Sequence, residues 1–323
     1  MLYSRIIKQG TINEPGGKPD PQFALPLTVN WMRALRILIE DVGINFETAD
    51  AFYGRQGKRA MNTLVENTIL EQLFLGLHHL LALEQFRSGK SASDYARVGI
   101  LAWYYGIANA ASAMTAAQSG SFQEDHAGTA RVWDSDIAGR GLAMAPFSWR
   151  VSSLLEKTYK SEIAVYKCGS TGKLLSKPTT KIEALGAAAE YLSGSASWHA
   201  WRAQDDLMKT PEFKALGVSD FRTKAAQLIR NSRLSRKSIG FVHQASRYRG
   251  KANYREALFL AYGATTETYL ADFANDLAVV LRGFLAMAGG FSRRKLGKAL
   301  WSEFVADVDA KRAFSLRAAD IWL

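Results

Sequence analysis

A chain of 323 residues with 48% apolar side chains can bury a substantial core, which excludes an intrinsically disordered protein. Its net charge of +11 and pI near 9.6 favour an anionic partner, either nucleic acid or an anionic membrane surface. The single cysteine, Cys168, excludes an internal disulfide and a cysteine-built metal cluster, and fits a reducing, cytoplasmic compartment.

The opening MLYSRIIKQG has no apolar run of signal-peptide length, so no targeting segment is expected. Four of the seven prolines fall in EPGGKPDPQFALP, residues 14–26, and residues 1–27 are therefore read as an irregular arm. No further proline occurs before Pro146, which leaves room for long helices. In TVNWMRALRILIED the residues Trp31, Leu35, Leu38 and Val42 recur at helical spacing and predict an amphipathic helix beginning near Thr28 or Asn30. NTLVENTILEQLFLGLHHLLALEQFRSG predicts a second helix over about 62–88, capped by Gly89. SASDYARVGILAWYYGIANAASAMTAAQSG predicts a third, with Ser93 or Asp94 as N-cap and Gly120 as stop. These two should form an antiparallel hairpin, and Gly99, Ala102, Gly106, Ala110 and Ala113 let another helix approach closely. Residues 98–117 are uncharged and as long as a bilayer span, but Asn109, Ser112, Thr115 and their alanines suit the centre of a bundle better than lipid.

The middle, GRGLAMAPFSWR and EIAVYKCGSTGKLLSKPTT, mixes short β-branched and aromatic runs with turn residues and allows at most one β-hairpin. Helices resume at KIEALGAAAEYLSG and SDFRTKAAQLIRNSRL, followed by one over about 254–287 and another in RRKLGKALWSEFVADVDAKRAF. The fold class is mostly α: a helical bundle over 28–145 and a second, mainly helical part over 146–323, with no solenoid repeat.

The strongest functional signal lies between Phe221 and Arg255. Arg222, Lys224, Arg230, Arg233, Arg236, Lys237, Arg247, Arg249, Lys251 and Arg255 supply ten positive charges and the stretch holds no Asp or Glu. A solvated helix face normally mixes signs. Unmixed charge repels itself until an anion relieves it, and guanidinium groups suit phosphate oxygens, so RNA or single-stranded nucleic acid is the expected partner, with a membrane less suited. Phe241, Tyr248 and Tyr254 are candidate stacking surfaces for bases. The bland reading is a solvated basic face whose aromatics point into the core.

Six residues separate Arg236 from His243. An imidazole acting on a 2′-hydroxyl and a guanidinium stabilising the phosphate could together cleave RNA without metal, so this pair is the candidate catalytic site. Otherwise His243 caps or packs. His126, beside Glu124 and Asp125 in SGSFQEDHAG, is a secondary candidate, with a local carboxylate–histidine pair as its plainer role. His78 and His79 on an apolar helix and His199 between Trp198 and Trp201 read as packing. Asp272 with Asp276, and Glu303 with Asp307, read as solvated helix faces rather than metal ligands. GSTGK at 169–173 lacks phosphate-loop spacing, so neither a metal nor a nucleotide cofactor is expected.

The stretch from about 64 to 134, a leucine-rich helix followed by DYARVGILAWYYGIANAASAMTAAQSG with its Tyr104–Tyr105 pair and then EDHAGTARVWD, resembles the HEPN family of small α-helical bundles. The resemblance is one of texture and implies a toxin or antiviral ribonuclease. Its nuclease members use an Arg followed closely by a His on a late helix, completed across a dimer interface, and only Arg236 and His243 match that role. The residue after Arg236 is Lys237 rather than a small polar or acidic one, and the pair lies more than a hundred residues beyond the hairpin. The alternative is a noncatalytic helical subunit of a nucleoprotein or defence complex, working as a homodimer or with other subunits.

Overall fold

The computed structural model describes residues 2–12, 21–87, 91–253, 255–262, 266–311 and 315–323. Its helices are α1 (Leu2–Gln9), α2 (Pro21–Val42), α3 (Phe46–Phe52), α4 (Thr63–Arg87), α5 (Ala92–Ser119), α6 (His126–Asp136), α7 (Glu156–Lys167), α8 (Lys181–Met208), α9 (Pro211–Lys214), α10 (Lys224–Ser235), α11 (Phe241–Asn253), α12 (Thr266–Leu270), α13 (Phe273–Leu296), α14 (Lys298–Lys311) and α15 (Ala319–Trp322). Among the described residues no strand forms, and one antiparallel bridge joins Val151 to Ile239. The fold is mostly α, as the helical periodicities predict.

Local chemistry sets many of the boundaries. Asn45 with Thr48 and Thr180 with Glu183 form capping boxes that open α3 and α8. α5 stops at Gly120, whose φ of 75° is open to a residue without a Cβ and returns its N–H to the Ala116 carbonyl. The start of α5 differs from expectation. Ser91 is the N-cap, and the carboxylate of Glu267 accepts from the Ala92 and Ser93 N–H groups at 3.1 Å each. The expected cap at Gly89 lies outside the described residues.

α4 and α5 pack antiparallel, with Gly76 against Gly106 and Gly99 against Leu83. The stripe of small residues receives α13, from the far end of the chain. A Cβ added at Gly99, Gly106 or Gly76 would lie 3.2, 2.6 or 2.8 Å from a methyl of Leu277, Leu281 or Leu285, one ridge repeating every four residues. α5 is buried along most of its length, and among the described residues no helix is long and apolar enough to cross a membrane.

Aromatic rings lock the bundle to the later helices. Trp31 of α2 stacks on Tyr191 of α8 at 4.0 Å and meets Trp103 of α5 edge-on at 5.8 Å. Tyr248 of α11 packs 4.8 Å from Trp31 and donates its hydroxyl to the Thr28 carbonyl at 2.7 Å. One core therefore runs from Ala24 to Trp322, with a smaller one around Val151, Tyr159, Leu192 and Ile239.

Residues of α8, α11 and α13, from beyond residue 145, pack in the same core as those of α2, α4 and α5. Two sequence boundaries are corrected. The arm assigned to 1–27 contains α1, and α2 begins at Pro21. Proline is tolerated in a first turn, where its missing N–H would have no helical partner. The helix expected over 254–287 is instead a 3₁₀ turn at Arg255–Leu260, the short α12, and α13 from Phe273 to Leu296. α13 runs through Gly289 and Gly290, where close neighbours occupy the space a side chain would need. A Cβ at Gly289 would lie 2.5 Å from Trp322, and one at Gly290 would lie 3.0 Å from the backbone of Ala49 and Asp50.

Candidate nucleic-acid interface

The junction between α10 and α11 is held by a buried carboxylate. Asp134 of α6 is 1% exposed and accepts from Nε and Nη2 of Arg150 at 3.0 Å each, and Ser238 donates its hydroxyl to the same side chain. Val151 and Ile239 exchange backbone hydrogen bonds of 2.9 and 3.1 Å across the bridge. Gly240 passes so close that a Cβ there would lie 2.5 Å from Asp134 Oδ1. These contacts fix where α11 starts and so where its polar arc points.

At about 100° per residue, Arg249, Ser246, Gly250, His243 and Arg247 follow in that order around the side away from the buried Phe241, Ala245, Tyr248 and Ala252, with the buried Val242 falling between Arg249 and Ser246. Each flank of that arc carries a ring cluster. On one side Arg249 lies 4.8 Å over the Tyr104 ring, and His126 sits edge-on to Tyr104 and Tyr105 at 5.2 and 5.5 Å. Asp125 does not hold His126 in an ion pair but caps α6, accepting from the Gly128 N–H at 2.7 Å. Burial, then the charge of Arg249, lowers the His126 pKa against the opposing pull of Asp125.

On the other side His243 meets His199 of α8 edge-on at 5.7 Å. The Gly240 N–H donates to His243 Nδ1 at 3.2 Å, so the neutral ring carries its proton on Nε2. Burial lowers the His243 pKa to about 4, with Asp134 opposing and Arg150, Arg131 and Lys237 adding to the fall. His199 is lowered to about 3 by burial and then by His243, Arg247, Lys237 and Arg202. Among the described residues its Nε2 is buried without a hydrogen-bond partner. Arg247 donates to the Ser195 hydroxyl at 3.1 Å, and both Arg247 and Arg202 lie over the Trp198 ring, at 5.8 and 5.6 Å.

The residues singled out from sequence divide as follows. Arg236 is exposed at the C-cap of α10 and makes no hydrogen bond or ion pair with His243 among the described residues. Tyr248 and Phe241 are core residues, so neither is a stacking platform; the helical wheel points both inward. Tyr254 lies outside the described residues, and Arg255 opens the 3₁₀ turn. Arg222 pairs with Asp220 at 3.2 Å, and Arg230 leans on the Phe221 ring at 5.7 Å. Lys224 and Arg233 are exposed on α10, while Lys237 and Lys251 are half-buried.

Sequence spacing assigns His199 to packing beside Trp198 and gives Arg202 no role. They join the site because α8 lies beside α11, a long-range placement that sequence spacing does not encode. The available signal was WHAWR itself, two tryptophans and a basic residue in one turn; Trp201 is 59% exposed. Asp276 also departs from its solvated-face reading. It is buried and bridges Arg33 and Arg36 at 3.1 Å each, while Asp272 takes Arg33 at 2.5 Å. Among the described residues no group of three or more His, Cys, Asp or Glu side chains is placed to hold a metal ion.

No family model matches the chain, and neither the curated proteins nor the solved structures compared with it give a match. The likeness to HEPN domains accordingly rests on the sequence texture of residues 64–134.

Proposed function

We propose that the chain binds RNA or another single-stranded nucleic acid along α10, the polar arc of α11 and the adjoining part of α8. The observation that carries this reading is uncompensated charge. Arg33, Arg36, Arg150, Arg282, Arg293 and Arg294 all pair with carboxylates elsewhere in the fold. Among the described residues Lys224, Arg230, Arg233, Arg236, Lys237, Arg247 and Arg249 pair with none. Many arginines elsewhere in the fold are neutralised by carboxylates, whereas these seven cations lie close together in the sequence without one and keep a surface whose repulsion a polyanion would relieve.

Holding the strand is supported better than cutting it. His243 uses its free lone pair on the Gly240 N–H, which leaves an N–H donor and no base facing solvent, and Arg236 stands apart from it. Cleavage by Arg236 and His243 in a toxin or antiviral setting follows from the HEPN resemblance alone. Incubating wild-type protein and a His243→Ala variant with labelled RNA in EDTA separates the two. The expected result is a mobility shift with both proteins and no cleavage with either. Cleavage by wild type that disappears in the variant while the shift remains would replace the binding reading with a metal-independent ribonuclease.

A further inference from the structure

Around His199 the polar groups converge and lack a complement. His199 offers a buried, unpartnered Nε2, His243 presents its Nε2–H, and Arg202 and Arg247 are both steered by one tryptophan. The charges that bear most on His199 are His243, then Arg247, Lys237 and Arg202, and no carboxylate is among them. Asp134, the acid that bears on His243, is already taken by Arg150 and Ser238.

We propose that His199, His243, Arg202, Arg247 and Lys237 form a pocket for one phosphate group, and that it selects strands ending in a phosphate monoester over strands offering internal diesters only. This inference rests on the nucleic-acid reading for the source of the phosphate. A monoester carries up to two negative charges where a diester carries one, and its extra oxygens are free to accept from several donors. Two guanidiniums and an ammonium supply fixed positive charge. Each imidazole has one N–H while neutral, and His199 can take up a further proton when a dianion arrives, whereas a second proton on His243 would have to displace the Gly240 N–H from Nδ1. Facing the pair are Arg202 on the element of His199, Arg247 on that of His243, Lys237 at the junction, Arg131 and Asp134 from α6, and Arg150 from the bridge segment. Apart from Asp134 these charges are positive, so the empty pocket holds both rings neutral and a bound dianion reverses that bias. Selectivity therefore grows as pH falls, over the range in which the monoester remains largely dianionic.

The test compares one labelled RNA with a 5′-phosphate, a 3′-phosphate or neither, by fluorescence anisotropy between about pH 8 and 6.5. At least one phosphorylated form should bind about tenfold tighter at the lower pH, equivalent to one strong charge-assisted contact, with a smaller preference at the higher. His199→Gln and, independently, the exposed Arg202→Gln should remove most of that preference, whereas Arg233→Gln should weaken all strands alike. Should His199→Gln fail to fold by circular dichroism, Arg202→Gln decides. Equal affinities at every pH, or a preference surviving the folded pocket variants, would overturn the proposal. If no strand binds, the nucleic-acid reading falls, and inorganic phosphate decides the pocket separately. Phosphate-dependent shifts of the His199 and His243 ring signals in NMR would sustain it, and their absence would overturn it.

Discussion

The position of α11 depends on single atoms around Asp134. Adding a Cβ at Gly240 would bring a methyl to 2.5 Å from a carboxylate oxygen that is itself fixed by Arg150. Gly240→Ala should cost about 1–3 kcal/mol, as overpacking in a close-packed interior does, read as a lower urea midpoint with an unchanged m-value. The two interior histidines give a pH signature. Their folded pKa values, about 4 for His243 and about 3 for His199, lie below the ordinary 6.5, so the unfolded chain binds more protons below that value. Their contribution to stability is complete above about pH 6.5 and is lost as pH falls through the folded values. The urea midpoint should drop between pH 7 and pH 4.5, and His199→Phe or His243→Phe should flatten the drop; an unchanged slope in both would contradict the assignment. The basic residues of this site were legible because their charge is written in the sequence. The histidine pairing was not, since it depends on the packing of α8 beside α11.

Elements show the same divide between local and long-range information. Helix type, the hairpin of α4 and α5, and the stop at Gly120 follow from periodicity and glycine chemistry within one segment. Where α13 begins and ends did not, because its partners are distant: the groove of α4 and α5, Trp322, and the backbone of α3. Asp276 ties α13 to α2 through two arginines and is fully buried, whereas the Asp272 side chain is 54% exposed. Asp276→Ala removes the buried carboxylate that joins α13 to α2, leaving Arg33 with Asp272 and Arg36 with Glu40, and should cost about 1–3 kcal/mol. Asp272→Ala, in a largely solvated pair, should change stability by less than about 1 kcal/mol. Equal losses from the two, measured by chemical denaturation, would contradict the burial difference.

For the whole molecule, one core takes in residues from α2 to α15, with smaller clusters beside it. The net charge of +11 is unevenly neutralised: several arginines that join distant helices have carboxylate partners, while among the described residues those of α10 and α11 do not. The most direct measurement is the affinity of the purified protein for labelled single-stranded RNA as a function of salt. Binding through this face requires log Kobs to fall linearly with log salt, by about 0.7 for each phosphate engaged, giving a slope of roughly −3 to −5 if four to seven cations take part. Lys224→Gln, Arg233→Gln and Arg236→Gln combined, all at exposed positions, should flatten that slope by about 2 without changing the fold. Absence of binding at low salt, or an affinity indifferent to salt and to those three substitutions, would contradict the assignment of this surface to nucleic acid.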